Sequence, residues 1–150
     1  MKMSIPLRRV ALFLSGLVLL GLSACASAKP GPTTKTTHTI TIHYDAGTKQ
    51  WNYTIVPGGN DARNARVKRK DTVQWKCEDG AWTVYFKGPT PLADQYGKEL
   101  PYVSGAAGAT AGGEVVDKVK TGEAFSYGVS VLLPGVKDPV IDDPRIIIEN

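Results

Sequence analysis

Cysteine, methionine and histidine are nearly absent from this 150-residue chain, which has two of each. Two cysteines, Cys25 and Cys77, are too few for a disulfide framework. The two histidines, His38 and His43, lie five apart in one extended segment. That odd separation turns them to opposite faces, so they could share a metal only if the strand were broken. With both histidines in that segment, no Ser/His/Asp arrangement has a credible setting. Helical periodicity is also missing, because no stretch keeps apolar residues at the 3.6-residue spacing through three turns. No hydrophobic run reaches the roughly 20 residues that a comfortable membrane span requires. A charge excess is missing too, once the N-terminus is set apart. The full chain carries +4, and Lys2, Arg8 and Arg9 supply three of those charges. The remainder is close to neutral and gives no reason to expect nucleic acid as a partner.

The N-terminus has the build of a targeting segment. Lys2, Arg8 and Arg9 form a positive region, and residues 10–22 form an apolar run interrupted at Ser15 and Gly16. The run ends in Leu22-Ser23-Ala24-Cys25, which resembles the lipobox of bacterial lipoproteins. The resemblance implies cleavage before Cys25, diacylation of its thiol and acylation of the new amino group, with palmitate among the chains. Several acyl chains hold a protein firmly where one holds it marginally. Ala26 stands where inner-membrane lipoproteins of Gram-negative cells carry Asp, so the resemblance implies the periplasmic face of the outer membrane. The competing reading is an ordinary signal peptide with Cys25 left as a free thiol. Residues 1–24 are thus expected to be the leader. Residues 25–37, rich in Pro, Thr, Lys and Gly, are the expected tether, and residues 38–150 the domain.

In the domain the prevailing signal is alternation with period 2. Ile40, Ile42 and Tyr44 share one strand face, and Trp51, Tyr53 and Ile55 another. Pro57-Gly58-Gly59-Asn60-Asp61 makes a strong turn. Residues 63–70 are basic, with Ala65 and Val67 as apolar points. In residues 71–87 Val73, Trp75 and Cys77 alternate, then Trp82, Val84 and Phe86, with Glu78-Asp79-Gly80 between them; this reads as a core hairpin. Residues 88–113 hold no sustained pattern and read as a long irregular loop with one helical turn near 92–96. Residues 114–120 form a modest strand. Phe125, Tyr127, Val129, Val131 and Leu133 mark the best strand in the chain. Residues 134–144 are turn-rich, and Arg145-Ile146-Ile147-Ile148-Glu149 closes the chain as a strand. Seven or eight short strands predict an all-β sandwich or barrel.

Several phrases resemble the cupredoxin-like Greek-key β-sandwich: Val67-Lys68-Arg69-Lys70-Asp71-Thr72-Val73-Gln74-Trp75, Trp82-Thr83-Val84-Tyr85-Phe86, Phe125 to Val131, and Asp143-Pro144-Arg145-Ile146-Ile147-Ile148. The family usually has Gly before the Asp, where this chain has Lys70, and residues 88–113 match poorly. Family members with copper hold it through two His, a Cys thiolate and a weak axial Met. Here Trp82 occupies the first His position, no cysteine lies near Val129, and Met1 and Met3 belong to the leader. The resemblance therefore implies the scaffold without its copper, and no cofactor is expected.

The remaining candidates have competing readings. Arg66, Lys68 and Lys70 fall on one strand face, read either as a solvated sheet face or as a contact for an anionic envelope partner such as lipopolysaccharide, phospholipid or peptidoglycan. Asp138, Asp142 and Asp143 read as solvated loop acids or as an oxygen-rich cation site. Cys77 shares a face with Trp75, which favours a buried, inert thiol over a reactive one. The expected function is a membrane-anchored, non-enzymatic envelope lipoprotein that binds a protein or glycan partner. The alternative is a periplasmic small-molecule or metal-handling protein, or an envelope enzyme with its site under residues 88–113.

Overall fold

The computed structural model describes residues 34–58 and 62–150. The leader, Cys25 and most of the tether lie outside the described residues, as do residues 59–61 of the first strong turn. Residues Thr33–Asn150 form one compact unit. Among the described residues it is all-β, without a helix. The strands are β1 (Thr37–Asp45), β2 (Gln50–Val56), β3 (Asn64–Lys68), β4 (Thr72–Cys77), β5 (Ala81–Phe86), β6 (Leu92–Ala93), β7 (Tyr102–Gly105), β8 (Thr110–Val115), β9 (Ala124–Leu132), β10 (Val140–Asp142) and β11 (Arg145–Glu149). Among the described residues there are eleven rather than seven or eight because the short β6, β7 and β10 carry too few residues to show alternation.

Two sheets form, one in the order β2-β1-β4-β8-β6 and the other β3-β11-β9-β5-β7, with β10 joined to β9. Both are mixed, since β1 runs parallel to β4 and β11 parallel to β3. The sheets face each other across one core. Trp75 on β4 meets Tyr127 on β9 at a ring separation of 5.5 Å and Phe86 on β5 at 6.4 Å, both edge-on. That geometry suits the quadrupoles of aromatic rings. Trp75, Trp82 and Tyr127 are all buried, together with Ile40, Val84 and Ile146.

Two expectations change. Residues 71–87 are not a hairpin. β4 pairs with β1 and β8, whereas β5 pairs with β7 and β9. The Glu78-Asp79-Gly80 turn carries the chain from one sheet to the other, so the two alternating faces meet across the core. Alternation fixes which side chains point inward and leaves the hydrogen-bonding partner open, so a hairpin and an arch share one sequence pattern. Residues 88–113 are not an irregular loop either, and hold no helical turn. They contain β6, β7 and most of β8. The small residues 110–113 become strand because β8 lies tight against β4: a Cβ on Gly112 would stand 2.0 Å from the Val73 carbonyl oxygen. Small residues there reflect backbone contact, and that erases the apolar signal that strand reading depends on.

Candidate binding sites at the two ends of the sandwich

Strand direction gives the sandwich two ends. β1 and β4 begin at one end, where β3 and β11 finish; β4, β7 and β9 finish at the other, where β5 begins. The chain enters the domain at the first end. Residues 35–37, expected in the tether, are already held there: the Thr36 amide donates to Asp71 Oδ1 at 3.0 Å, the Thr72 amide to the Thr36 carbonyl at 2.8 Å, and Lys35 pairs with Glu114 at 2.5 Å.

Asp71 organises this end. It is 4% exposed. Its carboxylate accepts from the Thr36 amide, from the Lys68 amide at 2.9 Å, and faces His38 Nε2 at 2.9 Å. Burial alone would raise its pKa. The Lys68 amide, His38 and the Thr36 amide outweigh burial, and the pKa is lowered. His38 Nδ1 lies 3.2 Å from the Pro57 carbonyl oxygen, so this histidine links β1, the turn after β2 and the start of β4. Beside it runs a cleft of about 610 Å³, lined by His38, Asn64, Arg66, Lys68, Asp71 and Glu149 among others.

The three expected anion-contact residues separate here. Arg66 and Lys68 project outward from edge strand β3. The strand stops at Lys68. Lys70 lies in the following turn with φ of 70°, its amide on the Val115 carbonyl and its ammonium 3.3 Å from Asp117. Its side chain therefore leaves the face that a continued strand would have given it. Arg66 pairs with Glu149 at 3.2 Å, whereas Lys68 has no ion pair among the described residues.

At the far end His43 and the Tyr44 amide share the Asp79 carboxylate, at 2.9 and 2.8 Å. His38 and His43 thus sit at opposite ends, on opposite faces of β1, each against its own acid. Cys77 is fully buried, and burial raises its thiol pKa, which suits a structural rather than a reactive thiol. The three loop acids do not converge. Asp142 accepts from Tyr53 Oη at 2.8 Å and Arg63 at 2.6 Å, while Asp143 pairs with Lys87 at 2.6 Å. Among the described residues no three such ligands surround a common point.

Trp82 is 2% exposed and closes the core at this end. Its indole Nε1 is the one buried polar side-chain atom among the described residues with no hydrogen-bond partner. Trp82 also borders a groove of about 590 Å³, lined with Thr83, Ser104, Gly105, Ser130 and Lys137. On the outer face of the sheet, register sets Ser104, Thr83 and Ser130 in one row across β7, β5 and β9. The next row is Tyr102, Tyr85 and Gly128. A Cβ on Gly128 would stand 2.1 Å from the Tyr85 ring, so glycine lets that ring lie across the sheet. This surface was missed in sequence. Thr83, Tyr85, Gly128 and Ser130 are outward positions of readable strands, but β7 was not readable and the row exists only through register.

No protein-family model matches this chain, and no curated protein matches it.

Proposed function

We propose that this chain is a lipoprotein of a bacterial cell envelope, anchored through Cys25 at the periplasmic face of the outer membrane. Its copper-less cupredoxin-like domain binds an anionic envelope protein or glycan and catalyses nothing. The lipobox-like Leu22-Ser23-Ala24-Cys25 supports the anchor. Two mixed sheets with β1 parallel to β4 agree with the scaffold.

The observation that carries the binding reading is where the cations stand. Arg66, Lys68 and Lys70 lie at the end where the chain enters the domain, and Lys68 is unpaired beside an open cleft. The ten or so residues between Cys25 and Lys35 reach at most ~35 Å when extended. A domain tethered there presents this end to the anchoring surface. Each cation near an anionic surface contributes about 1 kcal/mol, falling off within a Debye length of ~8 Å.

Two experiments test this. Cys25→Ser should move the protein from the membrane to the soluble fraction or leave it unprocessed; wild-type fractionation would remove the anchor. Crosslinking in intact cells should capture a partner that is lost in the Arg66→Ala, Lys68→Ala, Lys70→Ala triple variant. A partner captured equally by both proteins would remove the basic contact.

A second reading, a small-molecule binder, is favoured by the groove at the opposite end.

A further inference from the structure

We propose that the groove beside Trp82 is a binding site for an acidic saccharide. This site needs neither the lipid anchor nor the β3 cleft. Its volume, about 590 Å³, lies in the range of small-molecule sites.

The donor set carries the assignment. Ser104, Thr83 and Ser130 present three hydroxyls in one row, and none bonds a protein group among the described residues. Adjacent strands lie about 4.8 Å apart, which sets the repeat of the row. That repeat is comparable to the separation of alternate equatorial hydroxyls on a pyranose ring. Each hydroxyl both donates and accepts, as sugar hydroxyls do. One row away lie two aromatic rings. Tyr85 lies across Gly128 and Tyr102 is 63% exposed. A tyrosine ring in this position offers an apolar face to the C–H side of a sugar while its hydroxyl stays wet. Leu132 and Ile141, both exposed, flank the hydroxyl row.

One further group sharpens the ligand class. Lys137 is the only charged side chain lining the groove, and it has no ion pair among the described residues. Its ammonium selects a carboxylated sugar over a neutral one. Trp82, its indole packed beneath Gly105 at the groove's border, reports occupancy through its emission.

The test uses the full-length protein in detergent micelles. An array of immobilised oligosaccharides, uronic-acid-containing and neutral, is probed first. The best binder is then titrated by calorimetry and by tryptophan emission. A uronic-acid oligosaccharide should bind at least ten-fold more tightly than its neutral counterpart of equal length and shift the emission. Tyr102→Ala should weaken binding at least ten-fold without moving the thermal midpoint, and Lys137→Ala should abolish the preference for the acidic form. The Arg66→Ala, Lys68→Ala, Lys70→Ala triple variant should retain the Tyr102-dependent binding with its Lys137-dependent acidic preference, which separates this groove from the basic contact at the other end. The proposal is overturned if no saccharide binds saturably, if acidic and neutral sugars bind alike, or if Tyr102→Ala binds as wild type does.

Discussion

The two ends of the sandwich use their polar groups in opposite ways. At the end where the chain enters, polar groups are consumed by the fold: Asp71 takes two amides and faces His38, and Arg66 takes Glu149. At the Trp82 end the outer face keeps three hydroxyls and a lysine without protein partners among the described residues, and the core beneath keeps an unpartnered indole N–H. The first end is therefore where substitution should cost stability, and the second where it should cost binding. Lys68 is the exception at the first end, an unpaired cation left beside an otherwise satisfied network.

The sharpest break in that contrast would come from Asp71. Asp71→Ala leaves two amides and a histidine without their shared acceptor, and should destabilise the domain by about 3 kcal/mol in urea unfolding. Single changes Thr83→Val, Ser104→Ala and Ser130→Ala at the other end should each stay within about 0.5 kcal/mol of wild type. Equal losses at both ends would erase the distinction. Next in size is Gly128→Ala, whose methyl group meets the Tyr85 ring. It should cost about 1–3 kcal/mol, as overpacking does, and should also weaken saccharide binding because Tyr85 must lift.

The pH dependence sharpens the same comparison. Asp71 has a folded-state pKa below the carboxyl reference of 3.8. Its contribution is thus fully present above that reference and is lost as pH falls through the lower folded value. Acid unfolding followed by circular dichroism should show this loss in wild type, with the Asp71 share missing in Asp71→Asn. Smallest is the effect of Lys68→Ala. This exposed, unpaired cation should leave stability within about 0.5 kcal/mol, while reducing salt-sensitive capture of the anionic partner.

Much of the fold was readable from alternation. Ile40 and Ile42, Tyr53 and Ile55, the alternate residues Phe125, Tyr127, Val129 and Val131, and Ile146 and Ile148 all point inward as their spacing requires. What alternation does not encode is partnership. The arch between Cys77 and Ala81 therefore read as a hairpin, although the inward set Val73, Trp75, Cys77, Trp82, Val84 and Phe86 was correctly seen. Strand β8 was obscured for a different reason: Gly112 and Gly113 are selected by backbone contact, which leaves no apolar pattern.

The sites divide along the same line. Arg66 and Lys68 could be found because they are neighbours on one strand face. Lys70 was misplaced because the strand ends before it, at a left-handed turn with no glycine to announce it. Trp82 was singled out as a residue standing where a ligand histidine would be, yet its value to the structure is different. It closes the core, and its N–H is left over. The hydroxyl row beside it assembles from β7, β5 and β9, and no local window of sequence contains it.

The division between the ends can be read in one spectrum. In a nitrogen–proton correlation experiment on the full-length protein, the Trp82 indole N–H gives its own resonance, assignable with Trp82→Phe. On adding the uronic-acid oligosaccharide, this resonance and the amides of Thr83, Ser104 and Ser130 should shift together and saturate, while the amides of Arg66 and Lys68 stay in place. Shifts confined to Arg66 and Lys68, or a Trp82 indole signal that never moves, would contradict the assignment of ligand binding to this end.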